Sequence, residues 1–594
     1  MIEPMRFVGL VISGFSGLAL ALWVASGHTQ SPPAVSPAHL TFQMVQGRPT
    51  PQRFTISIGS GGSAVSWNAS VTWPGSNPGL RLSATSGTGP GSVTVTMVDW
   101  VVAPLAPGSY SGNVRVQWPS SGMKPVTIPV RLTVVAELPL PRFTYLQGPN
   151  GCVQPAGYPD AATCGVPNQR PPGNFTPPPI GQFYIDPVFG AKVTMLAGPI
   201  ARHAYSNPSP LSANNKYVAI IKVDPIANTD RVQMVSPATG AILHADVDTD
   251  FNSMVWDAAD DEVLYFLAGA AVRKHDLRTR RTTTLIDYSR TPYGFTKISN
   301  GGTGDTSKDN WMVFWAPNEH QVCALDLTKV ATYCASYASL PRLPITYIDH
   351  VLISRGVDRD SRKRYVLVMG QPAILVYSVN LSAGRLDFEH HGPEDIERGG
   401  NQDGICDPGE ACLRTSHEET FEDSAGIQYL LIGWEMINSC EASIVTLQLN
   451  KGNDMLKPIE LGGGFRRLLR LFRCGTVWTD IHVGCAKAAP YCVISTIANF
   501  PAQLRNPADT APIPPSPHLA EIIVMRENGA EVRRLAQHRS VLFKNEGTSG
   551  YWSSPRAAIS NDGSLVVADS NFGVPNQQRV MLLETGFGTS RIGR

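Results

Sequence analysis

The stretch that most constrains this chain is Tyr551 to Ser570, YWSSPRAAISNDGSLVVADS. It reads as a polar loop, a Ser-Asn-Asp-Gly turn at 560–563 and an apolar run from Leu565 to Ala568. Asn561-Asp562-Gly563 signals a tight turn, and the flanking runs are short enough to be strands. The same cadence begins, more loosely, at His203, Phe251, Gly301, Asp349, Ser416 and Asp480, which makes seven units with the C-terminal copy. Their spacing of roughly 45 to 70 residues suits propeller blades that carry loop insertions. An open ring of blades leaves exposed sheet edges. The early run FYIDPVFGAKVTML from Phe183 is therefore expected to pair with QRVMLLE from Gln578 and close the ring.

Composition agrees with an all-β chain. Only 16 % of residues are charged, Gly (54) and Pro (48) are plentiful, and few stretches show helical periodicity. A net charge of +1 supplies no field for nucleic acid or an acidic membrane. Within 38–137, the alternating runs RFTISIG, SVTVTMV, NVRVQW and VTIPVRLTVV are separated by Gly, Pro and Ser, as in an immunoglobulin-like β-sandwich. Residues 138–180 read as a Pro-rich linker, with RPPGNFTPPP a stiff polyproline spacer. The expected architecture is an N-terminal sandwich plus a C-terminal seven-bladed β-propeller over 181–594.

Residues 1–26 read as a secretory signal peptide. Arg6 precedes an uncharged run from Phe7, and Val24-Ala25-Ser26 supplies small residues for cleavage. The run is almost long enough to serve instead as an uncleaved anchor. Beyond this segment no membrane contact is expected. The ten cysteines fall as Cys152 with Cys164, Cys323 with Cys334, Cys406 with Cys412, and Cys485 with Cys492, leaving Cys440 and Cys474 for each other. An even count with short gaps in an exported chain reads as disulfides.

Two resemblances add to this reading. LTF at Leu40, SWNAS at Ser66, SATSGTGPGSVTVTM and the Gly108-x-Tyr110-x-Gly112 strand resemble a BACON domain. That family implies an extracellular bacterial protein with a carbohydrate- or mucin-binding module. Trp67, Trp73 and Trp100 could stack on sugar, with Trp67 better suited to the core. The repeats resemble bacterial WD-like or TolB-like propellers. The opening DPVFG and closing YW…SNDG…DSNFG are similar to those of exported propellers that include oligogalacturonate lyases. This likeness implies histidines near the channel that hold a divalent transition metal, and a histidine base. The His-x-His and glutamine pattern of that family is absent.

His203, His350, His417 and His482 hold related places near the innermost strand of their units, and Arg556 holds the similar place in the last. They are the ligand-binding candidates, expected at one mouth of the channel. His417, His482 and Arg556 are the catalytic candidates. The competing expectation is that these polar residues bond blade to blade. GGNQDGICDPGEAC from Gly399 can be laid on a calcium loop: Asn401, Asp403, Ile405 (through its carbonyl), Asp407 and Glu410 are the ligands, and Gly399 stands where an aspartate belongs. A disulfide-closed turn is its alternative.

The expected function is therefore an exported binding or scaffold protein of the cell surface or periplasm, with an extracellular glycan or surface protein as partner. The alternative is a metal-dependent polysaccharide lyase acting on uronate-containing glycans. That chemistry needs a base near neutral pKa and a cation to neutralise the uronate carboxylate. His417 or His482 would be the base and Arg556 the cation. Only Arg202 and Arg556 supply positive charge in the expected mouth loops, which favours binding.

Overall fold

The computed structural model describes residues 34–587, apart from 98–104, 155–174, 399–410, 499–520, 542–553 and shorter loop stretches. The N-terminal segment 1–33, and with it the expected signal peptide, lies outside the described residues. No described helix is long and apolar enough to cross a membrane. The chain divides into two units, Met1–Val135 and Ala136–Arg594.

The first unit is a two-sheet sandwich. One sheet orders the strands Val35–Ser36, Arg53–Ile58, Gly91–Met97 and Leu80–Leu82. The other orders Leu40–Val45, Val126–Val135, Gly108–Gln117, Ser66–Thr72 and Ser86–Thr88. Strict alternation sends Val126–Val135 side chains in turn to core and solvent. The inward residues, among them Phe42, Ile56, Val93, Val114 and Val130, form one core. Trp67 is in that core. A Cβ at Gly87 would stand 2.3 Å from Trp67 Cζ2, so only glycine leaves room for the ring. Gly112 does the same for Trp73, whose ring would meet a Cβ at 2.4 Å and which is half-buried against the core. Tyr110 Oη donates to Ala106 O at 2.8 Å, a tie to backbone just upstream like that of other sandwiches. Trp67 and Trp73 are thus packing residues, and Trp100 lies outside the described residues.

The second unit is a seven-bladed propeller. Blade 1 comprises Ala201–Arg202, Val218–Asp224, Thr229–Val235 and Ile242–His244, and blade 2 comprises Val255–Trp256, Val263–Ala268, Ala271–Asp276 and Arg281–Asp287. Blade 3 holds Trp311–Ala316, Gln321–Asp326 and Ala331–Ser336, with Ser299 bridged to Trp315 on the inner side. Blade 4 holds Tyr347–Ile353, Tyr365–Gln371, Ala373–Asn380 and Arg385–Glu394. Blade 5 holds Ala411–Glu422, Gln428–Met436, Glu441–Gln448 and Phe465–Arg473, with Ile396–Arg398 added to its inner edge. Blade 6 holds Thr479–Cys485, Tyr491–Ala498, Glu521–Arg526 and Glu531–Gln537. Blade 7 joins Ala558–Ile559, Leu565–Ser570 and Arg579–Glu584 to Lys192–Ala197 and Phe183–Ile185 from the start of the unit. The expected closure is present: Val193 pairs with Leu583 and Thr194 with Leu582.

The 138–180 stretch is not a free spacer throughout. Phe143–Tyr145 runs parallel to the outer strand of blade 6, and Val153–Gln154 pairs back on it. An outer strand leaves unpaired backbone groups, and the passing chain satisfies them. Where the description resumes, Phe175 packs against Tyr184 and Phe572.

The repeated serine now has a physical reason. Ser560 Oγ accepts from Leu565 N at 3.0 Å and donates to Asp562 Oδ1 at 2.6 Å. Ser212 Oγ accepts from Tyr217 N, Ser307 Oγ from Trp311 N and Ser354 Oγ from Tyr365 N. Each hydroxyl staples the turn to the start of the next strand. The repeated acidic and amide residues reach further. Asp261 of blade 2 accepts from Ser212 and Asn214 of blade 1. Asn310 of blade 3 bonds Ala258 and Asp257 of blade 2, and Asn215 of blade 1 donates to Asp562 of blade 7.

Apolar side chains fill the junctions. Seven clusters of described residues lie in the propeller, one at each boundary between neighbouring blades. Leu565 and Val567 face blade 1, while Val566 and Ala568 of the same strand face blade 6. This is the two-residue period with both faces buried. Two disulfides join directly opposed residues of adjacent strands: Cys323–Cys334 in blade 3 and Cys485–Cys492 in blade 6. The side chains of Cys152, Cys164, Cys406, Cys412, Cys440 and Cys474 lie outside the described residues.

Leu565 is fully buried at the junction where the first and last blades meet. Leu565→Ala is expected to cost about 2–5 kcal/mol in chemical denaturation. Leu381→Ala, at a 65 % exposed position, should change stability by less than about 0.5 kcal/mol.

Candidate functional site in the propeller channel

Innermost strands line the channel, and their starts and ends define its two mouths. On blades 1, 6 and 7, the structure brings together three of the five residues singled out from the sequence. His203 follows Ala201–Arg202 in blade 1, His482 lies in Thr479–Cys485 of blade 6, and Arg556 precedes Ala558–Ile559 of blade 7. Tyr205 joins them. Its ring meets the His482 ring edge-on at 5.4 Å, and the Arg556 guanidinium lies over it at 5.3 Å from the centroid. His203, His482 and Arg556 are buried, while Tyr205 is half-buried.

His203 is held from several sides. Its backbone N donates to Asp569 Oδ1 at 3.1 Å, and Nε2 lies 3.4 Å from Pro555 O and 3.7 Å from Asp569 Oδ2. Burial drives its imidazole down to a pKa of about 3, with the Arg556 and Arg202 charges acting the same way. Burial also raises Asp569 well above the usual carboxylate range, against the pull of the two arginines. Both groups are driven toward their neutral forms. His203 is therefore no base for chemistry near neutral pH.

His350 has a different set of partners. Nδ1 lies 2.9 Å from Asp349 Oδ2, and Nε2 lies 3.8 Å from Glu418 Oε2 of blade 5. Burial pushes its pKa down, but the Asp349 hydrogen bond and the Glu418, Asp349 and Glu419 charges outweigh it and raise the pKa. His417 lies at a β-bulge of Ala411–Glu422, between the paired residues Ser416 and Glu419. Its side chain lies outside the described residues, as do Asn401, Asp403, Ile405, Asp407 and Glu410 of the expected calcium loop.

Near the ends of the innermost strands stands a group that the sequence reading missed. Arg355, 1 % exposed, crosses between blades. Nε donates to Thr420 O at 3.0 Å in blade 5, and the guanidinium donates to Cys485 O at 3.0 Å in blade 6 and to Thr306 O at 3.4 Å in blade 3. Its NH2 nitrogen also pairs with Glu419 Oε2 at 2.9 Å, and Glu419 is equally buried. Lys487 of blade 6 donates to Thr306 Oγ1 at 2.7 Å, and Thr306 Oγ1 donates to Trp256 O of blade 2. Blades 2 to 6 are thus tied across the channel by two cations. One signal was available: Arg355 closes DHVLISR, where an arginine ends a strand whose position in the repeat faces the axis.

Among the described residues, no three His, Cys, Asp or Glu side chains stand close enough together to hold a metal ion. The described histidines therefore do not fit the metal centre that the family resemblance implies.

Sandwich, closed seven-blade ring and pinned channel define the class: an all-β, two-unit protein built on a β-propeller. No family model and no curated protein matches the chain. Similar solved structures include propellers. An oligogalacturonate lyase in complex with manganese is 13 % identical, with 69 % of this chain and 97 % of that chain covered at a TM-score of 0.43. An oligogalacturonate lyase from Vibrio parahaemolyticus is 11 % identical, with 68 % and 96 % covered at 0.42. The Dos1 propeller is 8 % identical, with 65 % and 95 % covered at 0.33. Likeness at this level carries nothing about activity.

Two outcomes test this description. Arg355→Leu leaves the Glu419 carboxylate buried beside no cation and is expected to cost about 3–5 kcal/mol, measured by denaturant unfolding. Adding Glu419→Gln should recover part of that loss, because the stranded charge is gone. The raised His350 pKa means that the folded state favours the protonated ring. Its contribution is complete below the unfolded value of about 6.5 and fades as pH rises through the higher folded value. His350→Gln should therefore destabilise the protein more at about pH 5.5 than at about pH 8.5. An equal loss at both would remove His350 from this role.

Proposed function

We propose that the chain is an exported binding or scaffold protein of the cell surface or periplasm, in which the propeller is a rigid recognition platform and the sandwich a second binding or spacing module. The observation that carries this reading is the state of the channel side chains. His203 is buried and held neutral, Arg556 is buried behind Tyr205, and Arg355 is committed to blades 3, 5 and 6. Groups in this state brace a platform and offer no solvent-accessible base. The cross-strand disulfides are compatible with an oxidising compartment, where an extracellular glycan or surface protein would be the partner. The BACON-like sequence of the sandwich supports a glycan as the first ligand to test.

One observation favours a second reading. The buried His482 and Arg556 meet at the half-buried ring of Tyr205, so a base and a carboxylate-neutralising cation are neighbours. A uronate-specific lyase would use that pair, with a divalent metal as its expected cofactor. The two readings separate in one experiment. Purified protein is incubated with polygalacturonate, with and without manganese, while unsaturated uronate products are followed by absorbance and binding by calorimetry. Binding or inertness without product is the expected result. Product formation that His482→Ala abolishes would establish the lyase.

A further inference from the structure

The side chain least explained by the fold is Arg539. It is only 4 % exposed, and among the described residues its three guanidinium nitrogens meet no hydrogen-bond acceptor apart from the Tyr184 phenol. A buried cation without a close counter-charge is costly, so its retention calls for a ligand or a structural return. Among the described residues, the structural returns are ring stacking and the Tyr184 contact. The guanidinium lies over Phe175 at 4.3 Å from the centroid. Phe175 in turn stacks on Phe572 and packs on Tyr184. The Tyr184 hydroxyl is buried beside Arg539, close enough to the guanidinium for a hydrogen bond. Asp186, whose charge also acts on Tyr184, is engaged by Phe189 N and Gln537 N.

The arginine is also held in place. Its backbone adopts a left-handed φ of 59°, which a non-glycine residue takes only when its surroundings impose it. Those surroundings are explicit. His538 Nε2 pairs with Thr496 O at 2.9 Å, Ser540 N donates to His538 Nδ1 at 2.9 Å, and Val541 N donates to Asn571 Oδ1 at 2.9 Å. The segment linking blade 6 to blade 7 thus fixes the guanidinium against an aromatic floor.

We propose that Arg539 and Tyr184 form an anion site that takes a small carboxylate. With the Tyr184 oxygen placed to accept from the guanidinium, the remaining open groups are hydrogen-bond donors, so the complement is an acceptor with negative charge. A guanidinium fork matches the two oxygens of a carboxylate, and the phenol adds a third donor. The site is covered, which selects a small anion over a polymer. The inference does not rest on the propeller's being a glycan receptor, and binding of a small carboxylate would stand if polygalacturonate were neither bound nor cleaved.

The test uses the full chain and acetate as probe, with acetamide as the neutral isostere and sodium chloride at equal ionic strength. Acetate should raise the wild-type thermal midpoint. A hundredfold excess over Kd multiplies the folded-to-unfolded ratio by about a hundred, and the controls should not reproduce this. Arg539→Met keeps the stem on Phe175 and removes the donors. It should lose the acetate response and, without acetate, be at least as stable as the wild type. No acetate-specific shift in the wild type, an equal shift in Arg539→Met, or a strongly destabilised Arg539→Met would each overturn the site. Calorimetry on the wild type and on Tyr184→Phe is independent of that variant's folding. Acetate binding weakened several-fold in Tyr184→Phe is expected; no binding heat in the wild type, or equal affinity in both proteins, would refute it.

Discussion

The structure of the second unit depends on one constraint: each blade has two apolar faces, and only its neighbours can cover them. Leu565 and Val567 need blade 1, and Val566 and Ala568 need blade 6. A ring with one blade missing would expose two such faces. Closure by Lys192–Ala197 against Arg579–Glu584 is therefore a condition for every other junction, because it brings blade 7 into register with blade 1. The polar ties between turns follow the same ring, and Asn215 to Asp562 crosses the closing junction.

Ring closure brings backbone carbonyls and strand ends to the axis, and the channel side chains answer that geometry. At the strand ends, Arg355 and Lys487 bond carbonyl and hydroxyl oxygens both from adjoining blades and from blades that are not neighbours in sequence. Near the strand starts, burial governs charge. It empties His203 of its proton, whereas at His350 nearby carboxylates overcome it. Two histidines in related repeat positions thus respond to acid in opposite directions. Protonation of His203 opposes folding and protonation of His350 favours it.

Much of the fold was legible in the sequence, because it is written in local patterns. The Ser-Asn-Asp-Gly turn and the two-residue alternation act within a few residues of one another. The terminal pairing was legible because an open ring leaves an edge that only a distant strand can cover. The linker was read too simply: Phe143–Tyr145 has no distinctive pattern, and its strand state follows from the free edge it meets on blade 6. The candidate site was legible in part. The repeat position singled out His203, His482 and Arg556, but not Tyr205, whose importance lies in the two side chains that pack on it.

By itself, then, the sequence determined an all-β chain with a sandwich and seven repeated blade units, since period, turn chemistry and composition are local properties. Tertiary structure alone decided what the buried polar residues do. Arg355 and Arg539 are both buried arginines of the propeller. One is saturated by oxygens from three blades, and the other faces an aromatic ring with its donors open. That difference arises from which strands the ring places beside each, and residues some 50 to 400 positions apart become neighbours only when the ring closes.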